Sequence, residues 1–179
     1  TYVDFMSSGL ISNKVKEQHG IVLLPGSRSE HLAIALPMML EIVSSNDVTV
    51  MLSPFTNSDQ FLKLKSNYPH VEFKVLNDAK DLGLYKYALT IPGTNTMQLA
   101  YLKVPYMMIF PTHDASVLRL DGLIGILLLT PIFGRLIKRI FLNFAIKKKR
   151  FYSLPNIYFN SLVCPELVGK FKIEDAKLK

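Results

Sequence analysis

Cysteine is nearly absent from this chain: Cys164 stands alone among 179 residues. A single thiol excludes an internal disulfide and any cysteine-based zinc site, and it points to a reducing compartment. Charge is thin as well, with charged residues at 20% and apolar ones at 49%. That balance excludes a disordered polyelectrolyte and suggests a partly apolar surface. Acidic residues are the scarcer sign, 14 against 21 Lys and Arg, and none occurs between Asp121 and Glu166. The uncharged stretch 122–134, thirteen residues long, is too short to cross a bilayer, which takes about 20, and Pro131 breaks it. No secretory signal heads the sequence. It opens at Thr1 without a methionine and reads as mid-protein, so a fragment or an excised domain is expected.

What is present suits one globular domain with a buried core. The net charge of +7 and pI near 9.4 ask for an anionic partner, and nucleic acid, phospholipid and nucleotide all meet that demand. Apolar, β-branched runs at 21–24, 47–52, 71–75, 87–91 and 105–110 read as strands. Between them, helical patterns cover the stretch holding Leu32, Leu36, Met39 and Val43, then 58–66, 78–85 and 94–102. Further on, 152–157 reads as a short strand ended by Pro155, and 164–167 as the opening of a final helical turn. The alternation predicts an α/β fold, a doubly wound parallel sheet with helices on both faces and ligands beyond the carboxyl ends of the strands. Residues 1–19 form a linker or the end of a preceding element, 20–169 the domain, and 170–179 a frayed tail.

Two strand ends share a form. Pro25-Gly26-Ser27-Arg28 follows the first strand and Pro92-Gly93-Thr94-Asn95-Thr96 the fourth. Each leads into a helix, with Ser27 or Ser29 expected to cap the first and Asn95 or Thr96 the second. Helix N-termini and closely approachable glycine backbone attract anions, and the Arg28 guanidinium adds a fork that matches phosphate. In one crevice the two corners could hold both ends of a diphosphate. Plain capped turns with a solvated Arg28 would give the same pattern.

From residue 122 the character changes. Seven basic residues fall between 135 and 150, among them Lys138, Arg139, Lys147 and Lys148, and Phe141 and other apolar side chains recur at helical spacing on a separate face beside them. Together with Leu127 and Phe133 upstream, they describe amphipathic helices that could lie in an anionic membrane surface, or a basic helix packed on its own domain. Nucleic acid is disfavoured, because no aromatic is interleaved with the basic cluster as a stacking platform. His113 and Asp114 are merely adjacent in sequence and make no catalytic pair or metal site. Asn156, after Leu154-Pro155, offers a donor and an acceptor to a base, sugar or phosphate, or simply forms a turn. Glu166 is a cap partner or a ligand for a hydroxyl.

With Leu-Pro-Gly-Ser-Arg at 24–28, Pro-Gly-Thr-Asn-Thr at 92–96, Leu-Pro-Asn at 154–156 and Pro-Glu-Leu at 165–167, the chain resembles the lipid-A-disaccharide synthase family from about residue 21 to 168. The resemblance implies the carboxyl-terminal, donor-binding half of an inverting GT-B glycosyltransferase, Rossmann-like in fold. It implies a UDP-diacylglucosamine donor, a lipid-linked sugar acceptor whose hydroxyl displaces UDP, and a separate amino-terminal half that binds the acceptor. No metal or other cofactor is implied. By carry-over, Ser27 and Arg28 meet the diphosphate, with Gly26 and Gly93 at the corners. Thr94, Asn95 and Thr96 make a second phosphate and ribose contact, Asn156 sits against the nucleotide or sugar, and Glu166 lies near it. Arg28 and Asn156 are the expected catalytic pair. The family usually carries a carboxylate for the ribose hydroxyls where this chain has Gln98, a weaker acceptor. The resemblance also implies a cytoplasmic protein, peripheral on the inner face of a bacterial membrane, and leaves a homodimer open. Without the acceptor half the chain should not turn over. Two other readings stand beside it: another UDP-sugar enzyme, such as a peptidoglycan-precursor glycosyltransferase or an epimerase, and a degenerate membrane-binding adaptor, with Gln98 a symptom of lost catalysis.

Overall fold

A computed structural model describes residues 19–43, 47–111 and 150–169. The expected basic and apolar segment, with Leu127, Phe133, Lys138, Arg139, Phe141, Lys147 and Lys148, lies outside these residues, as do His113, Asp114, most of the leading linker and the tail.

Six strands form one sheet: β1 (His19–Leu24), β2 (Val48–Leu52), β3 (Glu72–Val75), β4 (Tyr85–Thr90), β5 (Tyr106–Pro111) and β6 (Glu166–Gly169). Their order is β3-β2-β1-β4-β5-β6 and every pairing is parallel. Helices α1 (Ser29–Ile42), α2 (Ser58–Asn67), α3 (Thr94–Tyr101) and α4 (Leu154–Phe159) and a 3₁₀ turn (Ala79–Leu84) connect or flank the strands. This is the α/β, doubly wound arrangement that alternating short apolar runs and helices call for.

Both faces of the sheet are covered, and the two-residue period of the strands sorts the core. Leu23, Val50, Leu89 and Ile109 point to one face, where Leu36, Met39 and Ile42 of α1 and Leu64 of α2 close over them. Val22, Leu24, Ala88 and Met108 point to the other, against Leu82 of the 3₁₀ turn and Leu99 of α3. At the β3 edge, Thr49 donates to Glu72 at 2.8 Å and Lys74 pairs with Glu72 at 3.0 Å. These bonds hold the Glu72 carboxyl below its usual range, and the charges blunt the open edge.

Local chemistry starts most of the helices. Asn57 caps α2 by accepting from Gln60 N–H at 2.7 Å, and Asp78 caps the 3₁₀ turn through Lys80 N–H at 2.9 Å. Helices α1 and α3 depart from expectation: Arg28 and Gly93 occupy their cap positions, neither with a side-chain cap bond, so the cap falls on neither Ser27 nor Ser29 in the first and neither Asn95 nor Thr96 in the second.

Two larger expectations fail at the carboxyl end. The segment read as a strand at 152–157 is α4, because Pro155 sits in the first turn, where its missing N–H costs nothing, and Ser153 caps the helix through Asn156 N–H. The segment read as a helical turn at 164–167 becomes strand β6, which adds to β5 with Ile109 opposite Leu167. Pro165 disfavours helix at the residue before it, and the open edge of β5 supplies the pairing.

Leu89 is fully buried at the middle of β4. Leu89→Ala is expected to lower stability by about 3–5 kcal/mol, read from urea unfolding of the whole chain.

Candidate functional site

The strand order runs outward in both directions from the β1–β4 pair, and chain connections leave that pair on opposite sides. Such a switch point leaves a crevice beyond the strand ends. The last rungs there are Leu24 opposite Thr90 and an Ile91 N–H to Leu24 C=O bond at 3.4 Å, so the two corners start level. Gly26 has φ +99°, and a Cβ placed on it would come within 2.6 Å of Ile91 Cδ1 of the other corner. The positive φ of the turn favours glycine, whereas the contact with the end of the Ile91 side chain is one that side chain could relieve by moving. Gly93 sits at φ 157°, ψ −173°, a region glycine alone adopts readily.

A cleft of about 600 Å³ opens at this point. Its walls hold Gly26, Ser27, Arg28 and His31 from the first corner and the first turn of α1, and Pro92, Gly93, Thr94, Asn95 and Gln98 from the second corner and α3. The ends of β2 and β3 complete it with Met51 to Phe55, Leu76, Asn77 and Ala79. Among its described lining residues, Arg28 and His31 carry the ionisable side chains. Backbone donors at two helix starts and one guanidinium make a basin suited to a phosphorylated ligand. Among the described residues no group of His, Cys, Asp and Glu could hold a metal ion, and no helix is long and apolar enough to cross a membrane.

Of the residues singled out from sequence, the fold brings Gly26, Ser27, Arg28, Gly93, Thr94, Asn95 and Gln98 to this cleft. Thr96, Asn156 and Glu166 do other work. Thr96 is buried, and its hydroxyl donates to Gly93 C=O at 2.7 Å and accepts from Leu154 N–H at 3.2 Å, so it braces the second corner against α4.

Asn156 is wholly buried and spends its amide inside the chain. Its Nδ2 donates to Cys164 C=O at 2.9 Å and to Glu166 Oε1 at 2.7 Å, while Oδ1 accepts from Val163 N–H at 2.7 Å and Cys164 N–H at 2.9 Å. Two donors and two acceptors are all the side chain has. In place of the expected catalytic contact stands a buried clasp, for a physical reason: buried backbone groups of the loop from α4 back to β6 need partners, and the Asn156 amide supplies them. Glu166 completes the clasp, accepting from Tyr152 N–H at 3.0 Å and Ser153 N–H at 2.6 Å. Around it, Ser153 Oγ and Cys164 Sγ lie 3.0 Å apart, and burial pushes the neighbouring Tyr106 phenol well above its ordinary range, keeping it neutral.

Among the lining residues that sequence reasoning missed are His31, Phe55 and Asn77. His31 follows Arg28 by three positions and so shares its helix face, a signal that was available. Phe55 and Asn77 follow β2 and β3, and only the strand order brings those ends beside the first corner.

No family model matches this sequence, and no curated protein does either.

Replacing Asn156 by Ala removes the side-chain partners of Cys164 N–H and C=O and of Glu166, and leaves Val163 N–H only its longer bond to Ser161 C=O at 3.1 Å. A loss of about 3 kcal/mol or more is expected in urea unfolding, far above that of a surface substitution.

Proposed function

We propose that the cleft binds the diphosphate of a nucleotide-sugar, and that this chain is the donor-binding part of a glycosyltransferase. In the fuller reading it moves diacylglucosamine from UDP-diacylglucosamine to a lipid-linked sugar, forming the lipid A disaccharide and releasing UDP. One observation carries the coarser claim: two glycine corners and Arg28 converge on one crevice at the switch point of the sheet. The finer claim draws on the motifs at 24–28, 92–96, 154–156 and 165–167, which occur in the order that family has them.

Transfer from such a donor breaks the bond between the anomeric carbon and the β-phosphate oxygen, so negative charge grows on the departing diphosphate. Arg28 and the backbone N–H groups at the two corners are placed to stabilise that charge, and a preorganised donor set is worth more there than in water. Ser27, Thr94 and Asn95 supply hydroxyl and amide groups of adaptable geometry around the same phosphates. Gln98, in the first turns of α3, would meet the ribose hydroxyls with a neutral acceptor. Asn156 and Glu166 act at one remove, fixing α4, against which Thr96 holds the second corner. An acceptor with a lipid anchor would bring the protein to a membrane surface.

Calorimetric titration of the whole chain with UDP tests the reading. Binding is expected without added metal, and Arg28→Ala is expected to weaken it by about 1.5–3 kcal/mol, the worth of a charged hydrogen bond. Unchanged affinity in that variant would remove Arg28 from the phosphate site, and no binding by the wild type would remove the site itself.

A further inference from the structure

The cleft is chemically divided along its length. At the ends of β1 and β4 it offers Ser27, Arg28, Thr94 and Asn95; at the ends of β2 and β3 it turns apolar, with Pro54, Phe55, Leu76 and Ala79 beside Asn77. Phe55 is the outlier, a cleft-lining aromatic that remains 89% exposed. A single exposed Phe elsewhere on a surface is ordinary, but this one forms part of a cleft wall and its backbone is held. Phe55 N–H donates to Ser53 Oγ at 3.2 Å, and Thr56 N–H to Ser53 C=O at 3.0 Å, so a hydrogen-bonded turn presents the ring just before Asn57 caps α2.

We propose that Phe55 is the stacking platform for the base of the bound nucleotide. The inference rests on the reading of the cleft as a nucleoside diphosphate site and adds to it the end at which the nucleoside lies. Parallel strands are spaced by about 4.8 Å, so the end of β2 lies one strand spacing from the Gly26 corner. A ligand whose phosphates occupy that corner therefore has its nucleoside within reach of the ring. A flat, uncharged ring of this kind recognises the π face that every base has, while a sugar phosphate or pyrophosphate has nothing for it to grip. Asn77 stands close by in the same wall as a donor and acceptor for the edge of a base.

The test compares UDP with inorganic pyrophosphate on the full chain, using wild type, Phe55→Ala and Phe55→Trp. Since Phe55 is exposed, neither change disturbs the core, and far-UV circular dichroism checks this. Phe55→Ala is expected to weaken UDP binding by roughly 5- to 150-fold, the usual worth of one base stacked on an aromatic. Pyrophosphate affinity should stay the same, and Phe55→Trp should retain UDP. UDP binding unaltered in Phe55→Ala, or an equal loss of UDP and pyrophosphate, overturns the stacking role and leaves the phosphate site standing. A wild-type chain that binds neither ligand overturns the reading beneath it.

Discussion

Parallel pairing of β1 with β4 is the constraint from which the rest of this molecule follows. Those strands are separated in sequence by two complete strand-and-helix units, yet five residue pairs align them from His19 with Tyr85 to Leu24 with Thr90. Their register sets the two glycine corners level. Chain direction then sends α1 to one face and α3 to the other, and the cleft opens between their starts. Packing on both faces of β1, where Val22, Leu23 and Leu24 are all buried, makes the register costly to slip.

The second corner is held from behind by a region far along the chain. Thr96 links Gly93 to Leu154, Ser153 starts α4, and Asn156 with Glu166 ties α4 to β6. Because β6 is itself added to β5, the clasp fixes one wall of the cleft to the sheet edge. Asn156 and Glu166 thus matter to the cleft through position rather than through contact. The polar groups they satisfy are buried or partly buried, and such networks hold a single geometry when every member is paired.

Much of the scaffold was legible in the residues. The first five strands, three of the helices and the two corners follow from period-two and period-3.6 patterns interrupted by Pro-Gly, which are local and strong. Seven of the ten residues expected to bind substrate line the cleft, since all seven belong to those corners or the turn after them. Failures gathered where short segments carry mixed signals. Pro155 ends a strand or begins a helix with equal local justification, and Glu166 to Gly169 has too few residues to state its own preference. Phe55 and Asn77 lay hidden for another reason: adjacency between the ends of β1, β2 and β3 is a property of strand order.

Sequence by itself determined the class of fold, the glycines at the two corners whose positive φ other residues rarely adopt, and the placing of Arg28 at a helix start. Each of these depends on groups a few residues apart, whose interactions survive in any context. Tertiary structure alone decided that the corners share a crevice and that Asn156 is a buried clasp. These outcomes come from long-range pairing and from the rule that buried polar groups must find partners, and neither can be evaluated until distant segments have met.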